Sequence, residues 1–198
     1  MRTLCLVALM FISGMLGAQE RPAAPAHVMK VEGVPFFLYA VPAGGYEVVG
    51  KAATVGHFIR LAVDEGSTVK DKAATLVKMA RERQRKGKVP AFDAIILDLD
   101  KDKALAVTLR QEDSLAAKVL RQEGVPLYFF SLPDADYEVV AEWPADYSLR
   151  AARGLLYDKV RSMVRRALEK EKKGEVKPFD AIIIDPETLS ETLIRFKK

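Results

Sequence analysis

Asp98, Asp100 and Asp102 stand at alternate positions in the stretch DLDKD, the spacing with which a calcium loop opens. Such a loop needs glycine at its sixth position and glutamate at its twelfth. Here those positions hold Lys103 and Leu109, so the carboxylates read as a polar hairpin turn. His27 and His57 are the two histidines of the chain and lie 30 residues apart. A zinc site takes three or four protein ligands, often in closely spaced pairs, so no metal and no cofactor is implied. Two pairs of acids, Glu47 with Glu138 and Asp93 with Asp180, are the types a glycosidase uses to protonate a leaving group and to activate water. There is no Gly-x-Ser-x-Gly elbow, His-Glu-x-x-His pair, phosphate loop or dinucleotide fingerprint.

The acid pairs are better explained by what surrounds them. Residues 28–50 laid over 119–141, a shift of 91, match at ten of 23 positions, among them Gly33-Val34-Pro35 and Tyr46-Glu47-Val48-Val49. Residues 67–98 laid over 154–185, a shift of 87, match at fourteen of 32, including Phe92-Asp93-Ala94-Ile95-Ile96. Two blocks in the same order point to a tandem duplication. A carboxylate occurring once per copy at a matched place then reads as a repeated structural role. Asp93 precedes an apolar strand whose backbone amides it could bond, and Glu47 alternates with Tyr46 to the opposite face of its strand.

Each copy predicts the same elements. VMKV-EG-VPFFLYA reads as two strands about a tight Glu-Gly turn, and YEVVGKAATV as another strand. Ser67 or Thr68 caps a helix, with Asp71 placed as in a capping box. Val69, Ala73, Leu76, Val77 and Ala80 fall on one helical face, as do Leu156, Val160, Met163, Val164 and Ala167 in the second copy. The helices are expected near 68–86 and 155–173. FDAIILDL and FDAIIID are apolar without alternation, the pattern of strands covered on both faces, and 92–98 and 179–185 are expected to be the most buried. The fold class is α+β: two copies, each roughly β-β-β-α-β-β, with one helix on a largely antiparallel sheet.

The helix running into Gly87 and the FDAII strand resembles small bacterial envelope modules, the YbjQ-type heavy-metal-binding domain and the Rcs outer-membrane lipoprotein sensor. The layout of the whole chain looks like uncharacterised exported proteins of Gram-negative bacteria. The resemblance implies an envelope α+β module and brings no catalytic residue with it. The sensor's cysteines are absent, and so is the usual glycine beside the aspartate.

The N-terminus supports export. Arg2, an apolar run from Leu4 to Leu16 and then Gly17-Ala18 have the order of a secretory signal peptide. The run is shorter than the roughly 20 residues a spanning helix needs, so no transmembrane segment remains after cleavage. Cys5, the single cysteine, would leave with residues 1–18. The organisation is then a flexible Pro- and Ala-rich leader at 19–27, repeat 1 at 28–110, a helical connector at 111–118 and repeat 2 at 119–198. Net charge is +4 with 31 basic against 27 acidic residues, a mixture unlike a dedicated nucleic-acid binder. Lys159, Arg161, Arg165, Arg166, Lys170, Lys172 and Lys173 are interrupted by Glu169 and Glu171 and read as a solvated helix face.

These observations imply an exported, non-catalytic protein, periplasmic or secreted, that binds an envelope or extracellular protein or polymer. A metal-binding envelope module and a carboxylate-dependent hydrolase are the alternatives. Segments 51–66 and 142–153 are where the copies diverge most. Their His57, Arg60, Trp143, Tyr147 and Arg150 are the candidate partner-binding residues, being of the types that anchor interfaces.

Overall fold

A computed structural model describes residues 21–54, 68–98, 103–144 and 156–198. Residues 1–18 with Cys5, and residues 99–102 of the DLDKD stretch, lie outside the described residues. The first half contains strands β1 (Ala26–Val28), β2 (Lys30–Val31), β3 (Val34–Leu38), β4 (Ala40–Pro42) and β5 (Tyr46–Thr54). Helix α1 (Val69–Arg85), β6 (Ala94–Asp98) and β7 (Lys103–Leu109) follow. The second half contains β8 (Ala116–Val119), β9 (Arg121–Gln122), β10 (Val125–Phe129), β11 (Ser131–Pro133) and β12 (Tyr137–Trp143), then helix α2 (Leu156–Lys172), β13 (Ala181–Ile184) and β14 (Glu191–Phe196).

The protein is α+β, with two helices and a predominance of sheet among the described residues. The main sheet runs β12-β14-β13-β10-β3-β6-β7-β5, and a four-stranded sheet runs β11-β1-β8-β4. Both halves therefore share one sheet. Its outer pairs are antiparallel, but β3 with β6 and β10 with β13 are parallel. The antiparallel expectation fails at these two pairs because β4, β5 and the helix carry the chain back before the next central strand begins. Leu38 of β3 is paired with Phe129 of β10, and Ala26 of β1 with Ala117 of β8. In each case the paired residues are 91 positions apart, the shift at which the two stretches of sequence match.

Local sequence accounts for the elements. Glu32-Gly33 and Glu123-Gly124 take φ of 50° and 77°, and of 51° and 78°. Two consecutive positive values make the turn whose twist suits a hairpin, and glycine fills its second place without strain. Thr68 caps α1: its hydroxyl accepts from the Asp71 amide, and the Asp71 carboxylate accepts from the Thr68 amide at 2.8 Å. Donation from the Thr68 amide, and then from the Thr68 hydroxyl at 2.8 Å, holds the Asp71 carboxyl below its ordinary range. All five residues expected on the inner face of each helix are buried.

Period-two alternation divides the core. Phe36, Leu38, Ile95, Leu97, Leu127, Phe129, Ile182 and Ile184 face both helices in one cluster. Phe37, Ala94, Ile96, Tyr128 and Ala181 face the small sheet in another. The layers are thus helices, main sheet and small sheet.

Two sequence expectations give way here. The connector 111–118 is not helical: Asp113 Oδ1 accepts from the Leu115 amide at 2.9 Å, and β8 begins at Ala116. Ala26 and His27 are not loose leader either, since β1 pairs with both β8 and β11. Ahead of β1, the Ala24 amide and carbonyl both bond the buried Tyr128 hydroxyl, at 3.0 and 2.9 Å. Arg21 lies over the Phe179 ring at 4.2 Å and is ion-paired with Glu171. Among the described residues no helix is long and apolar enough to cross a membrane.

Candidate functional site

The matched acids occupy matched scaffold positions. Asp93 Oδ2 accepts from the Leu109 amide at 2.9 Å, and Asp180 Oδ2 accepts from the Phe196 amide at 2.9 Å. The amides of both aspartates are bound as well, to Val107 and Ile194 carbonyls. Each aspartate thus ties the start of a central strand to the end of its neighbour. Glu47 is ion-paired with Arg110 at 2.9 Å, and Glu138 with Arg195 at 3.4 Å. Asp93→Ala and Asp180→Ala are each expected to cost about 1 to 2 kcal/mol, the range for a bond to a charged acceptor near the surface. Urea unfolding of the two variants checks this, and a large loss from one with none from the other would contradict the shared role.

Of the candidate partner residues, His57, Arg60, Tyr147 and Arg150 lie outside the described residues. Trp143 ends β12, packed on the edge of the helix-side core. The Arg166 guanidinium lies 5.6 Å and the Lys170 ammonium 5.8 Å from its ring centre. Arg166 is ion-paired with the buried Glu191, which stands opposite Trp143 in the sheet. His27 is held by Asp113 at 2.9 Å, with Asp134 at 3.8 Å. Among the described residues no three His, Cys, Asp or Glu side chains converge as a metal set.

A cavity of about 380 Å³ opens at the ends of β3 and β6. Its walls come from five places in the chain: Tyr39-Ala40-Val41, Tyr46, Ile96-Leu97-Asp98 with Leu105, Leu120-Arg121-Gln122, and Tyr157 in the first turn of α2. The backbone shapes the mouth. Tyr39 has φ 54° and its counterpart Phe130 has φ 56°, a left-handed conformation costly for an aromatic residue. It turns the Tyr39 carbonyl to the Leu120 amide at 2.7 Å, and the Phe130 carbonyl to the Met29 amide at the same distance. Arg121 Nη1 donates to the Arg21 and Gly124 carbonyls, at 2.6 and 3.2 Å.

The two halves share this backbone but not its lining. Where the cavity brings Tyr39 of the first half together with Gln122 and Tyr157 of the second, the matching positions hold Phe130 of the second half and Val31 and Lys70 of the first, and Lys70 is ion-paired with Glu187. The cavity thereby holds a buried phenol and a buried amide where the matching positions carry neither. Sequence reading passed over these residues because they sit inside well-matched blocks. Their signal is the mismatch itself, a polar residue against an apolar or cationic one. Nearby in the helix layer, burial and then the charge of Lys72, its own counterpart, hold the Lys159 amine below its ordinary range.

Compared with protein-family models, with curated proteins and with solved structures, the chain matches none.

Proposed function

We propose that this chain is an exported, non-catalytic binding protein, built by tandem duplication of one α+β module, and that its ligand seat is the cavity that Tyr39 of the first half shares with Gln122 and Tyr157 of the second. The observation that carries the reading is the divergence of the lining over a shared backbone. Packing alone explains why the hairpins, helix faces and central strands stay alike. It does not explain a phenol, an amide and a second tyrosine gathered at one of two matching sets of positions. The volume falls within the range of small-molecule sites, and polar groups convergent on an apolar wall are their usual composition. The apolar run at Leu4–Leu16 supports export to the periplasm or beyond. The engagement of Asp93, Asp180, Glu47 and Glu138 in matched structural bonds favours binding over carboxylate hydrolysis.

A partner contact through segments 51–66 and 142–153, with His57, Arg60, Trp143, Tyr147 and Arg150, belongs to the same reading. The second segment leads directly into Tyr157 of the cavity.

The test uses the matching positions as its template. In the variant Tyr39→Phe, Gln122→Val, Tyr157→Lys, each new residue is the one the chain carries at the matching place, at Phe130, Val31 and Lys70. The fold should survive while the lining reverts. Fractions of envelope extract and polar small molecules are screened by thermal shift. A ligand at a hundredfold excess over its Kd stabilises the native protein by about 2.7 kcal/mol, several degrees in Tm for a chain of this size. The variant should lose that shift. A ligand that raises both melting temperatures equally would remove the cavity from the reading.

A further inference from the structure

The ends of the two helices differ in charge far more than their shared fold requires. Residues 78–88, KMARERQRKGK, carry six cationic side chains and one carboxylate. The matching residues 165–175, RRALEKEKKGE, carry five and three. In the second half most of these cations are answered: Arg165 by Glu123, Arg166 by Glu191 and Lys170 by Glu175. In the first half Lys78 meets Glu32 at 3.4 Å, and Arg85 and Lys86 share the single Glu82. Arg81, Arg83 and Lys88 have no carboxylate within ion-pair distance among the described residues.

A helix C-terminus favours cations through its dipole, and that accounts for one or two of them in either helix. It does not account for the excess in α1 alone. Arg81, Arg85, Lys86 and Lys88 are all exposed. Arg81 leans over the β2–β3 turn, its Nη2 lying 3.7 Å from where a Cβ on Gly33 would stand. Lys30 of β2 is exposed beside it.

We propose that this end of α1 is a docking surface for an anionic lipid bilayer. The arrangement selects the occupant. At about 100° per residue, Arg81 and Arg85 project from one side of the helix and Lys86 from the other, so the charges radiate around the last turn rather than following a stripe. A linear acidic polymer needs a track along which to run. A bilayer offers a plane of mobile headgroups that can meet cations pointing in several directions. Met79, 44% exposed, one turn before Arg83 and two before Lys86, supplies an apolar side chain at that surface, the mixture found on helices that rest at a membrane interface. The ligand cavity shares none of these residues, so this inference stands apart from the proposed ligand seat.

Each Lys or Arg near an anionic leaflet contributes about fivefold in partitioning, and salt screens it. The protein as isolated from its producing cells is mixed with vesicles of phosphatidylcholine alone, and with vesicles containing phosphatidylglycerol as well. Sedimentation should show binding that depends on phosphatidylglycerol and weakens with salt. Arg85→Glu with Lys86→Glu should lower it by more than about tenfold. Lys172→Glu with Lys173→Glu makes the same change of net charge at the matching place in α2, and should alter it by less than about twofold. Arg81→Gln with Lys88→Gln removes only charges that no carboxylate answers, and should weaken binding too. All of these side chains are exposed, so each variant should keep its fold, with a melting temperature within a few degrees of the native one. Equal loss from the α1 and α2 pairs would reduce the effect to net charge and overturn the proposal. Failure to bind either kind of vesicle would overturn it, and so would binding to a soluble acidic polysaccharide in place of vesicles.

Discussion

Phe129→Ala is expected to destabilise the whole chain by about 3 to 5 kcal/mol, the usual cost of truncating a buried phenylalanine. Phe129 is fully buried where the halves join, paired with Leu38. Its ring lies 5.5 Å from that of Phe130 and 6.4 Å from that of Tyr39, nearly parallel to both. The cavity left behind would be bordered by residues of both halves. In calorimetry the loss should appear as a fall in Tm on the order of 10 °C. It should fall on a single transition, because both helices pack on one cluster drawn from both halves. Two transitions, only one of them shifted by the substitution, would show that the copies fold as separate domains and that the shared sheet is a weak seam.

Sequence pattern located the elements well and their partners poorly, for a physical reason. The helices expected near 68–86 and 155–173 occupy Val69–Arg85 and Leu156–Lys172, since capping, helical periodicity and a terminal glycine are all local signals. The Glu-Gly turns were legible on the same grounds, whereas Asp93 binds the Leu109 amide at the end of β7 and not an amide of the strand it precedes. Strand pairing is non-local: alternation says which face a residue takes, not which strand lies beside it. Nothing in AHV or AAKV announces that β1 and β8 leave their own halves to build a separate sheet with β4 and β11.

The connector shows the same limit. QEDSLAAKVL has helical propensity, but propensity is a weak prior that tertiary context overrides. Here Asp113 turns the chain at Leu115, and β1 and β4 present open ladders to Ala116–Val119. The cavity was hidden differently, behind Tyr39, Gln122 and Tyr157 in blocks that otherwise match.

The same comparison of halves yields the sharpest energetic test, at Arg166 and Glu191. Glu191 is 1% exposed, while Arg166, its ion-pair partner, is 31% exposed. The matching positions of the first half hold Met79 and Ala104, an apolar solution on a similar backbone. Arg166→Met alone would take the Arg166 charge from a buried carboxylate, and strip one cation from the Trp143 ring. Breaking a buried pair in this way costs about 3 to 5 kcal/mol. Glu191→Ala alone should cost less, because Arg166 already reaches solvent and can be hydrated. The double variant, Arg166→Met with Glu191→Ala, reproduces the first half's residues. It should lie within about 1 kcal/mol of the native protein, since exchanging a buried ion pair for apolar groups is often neutral. Chemical unfolding of the three variants closes a double-mutant cycle with a coupling of about 2 kcal/mol or more. If the two single costs simply add in the double variant, the pair is not a unit, and the apolar solution of one half does not transfer to the other.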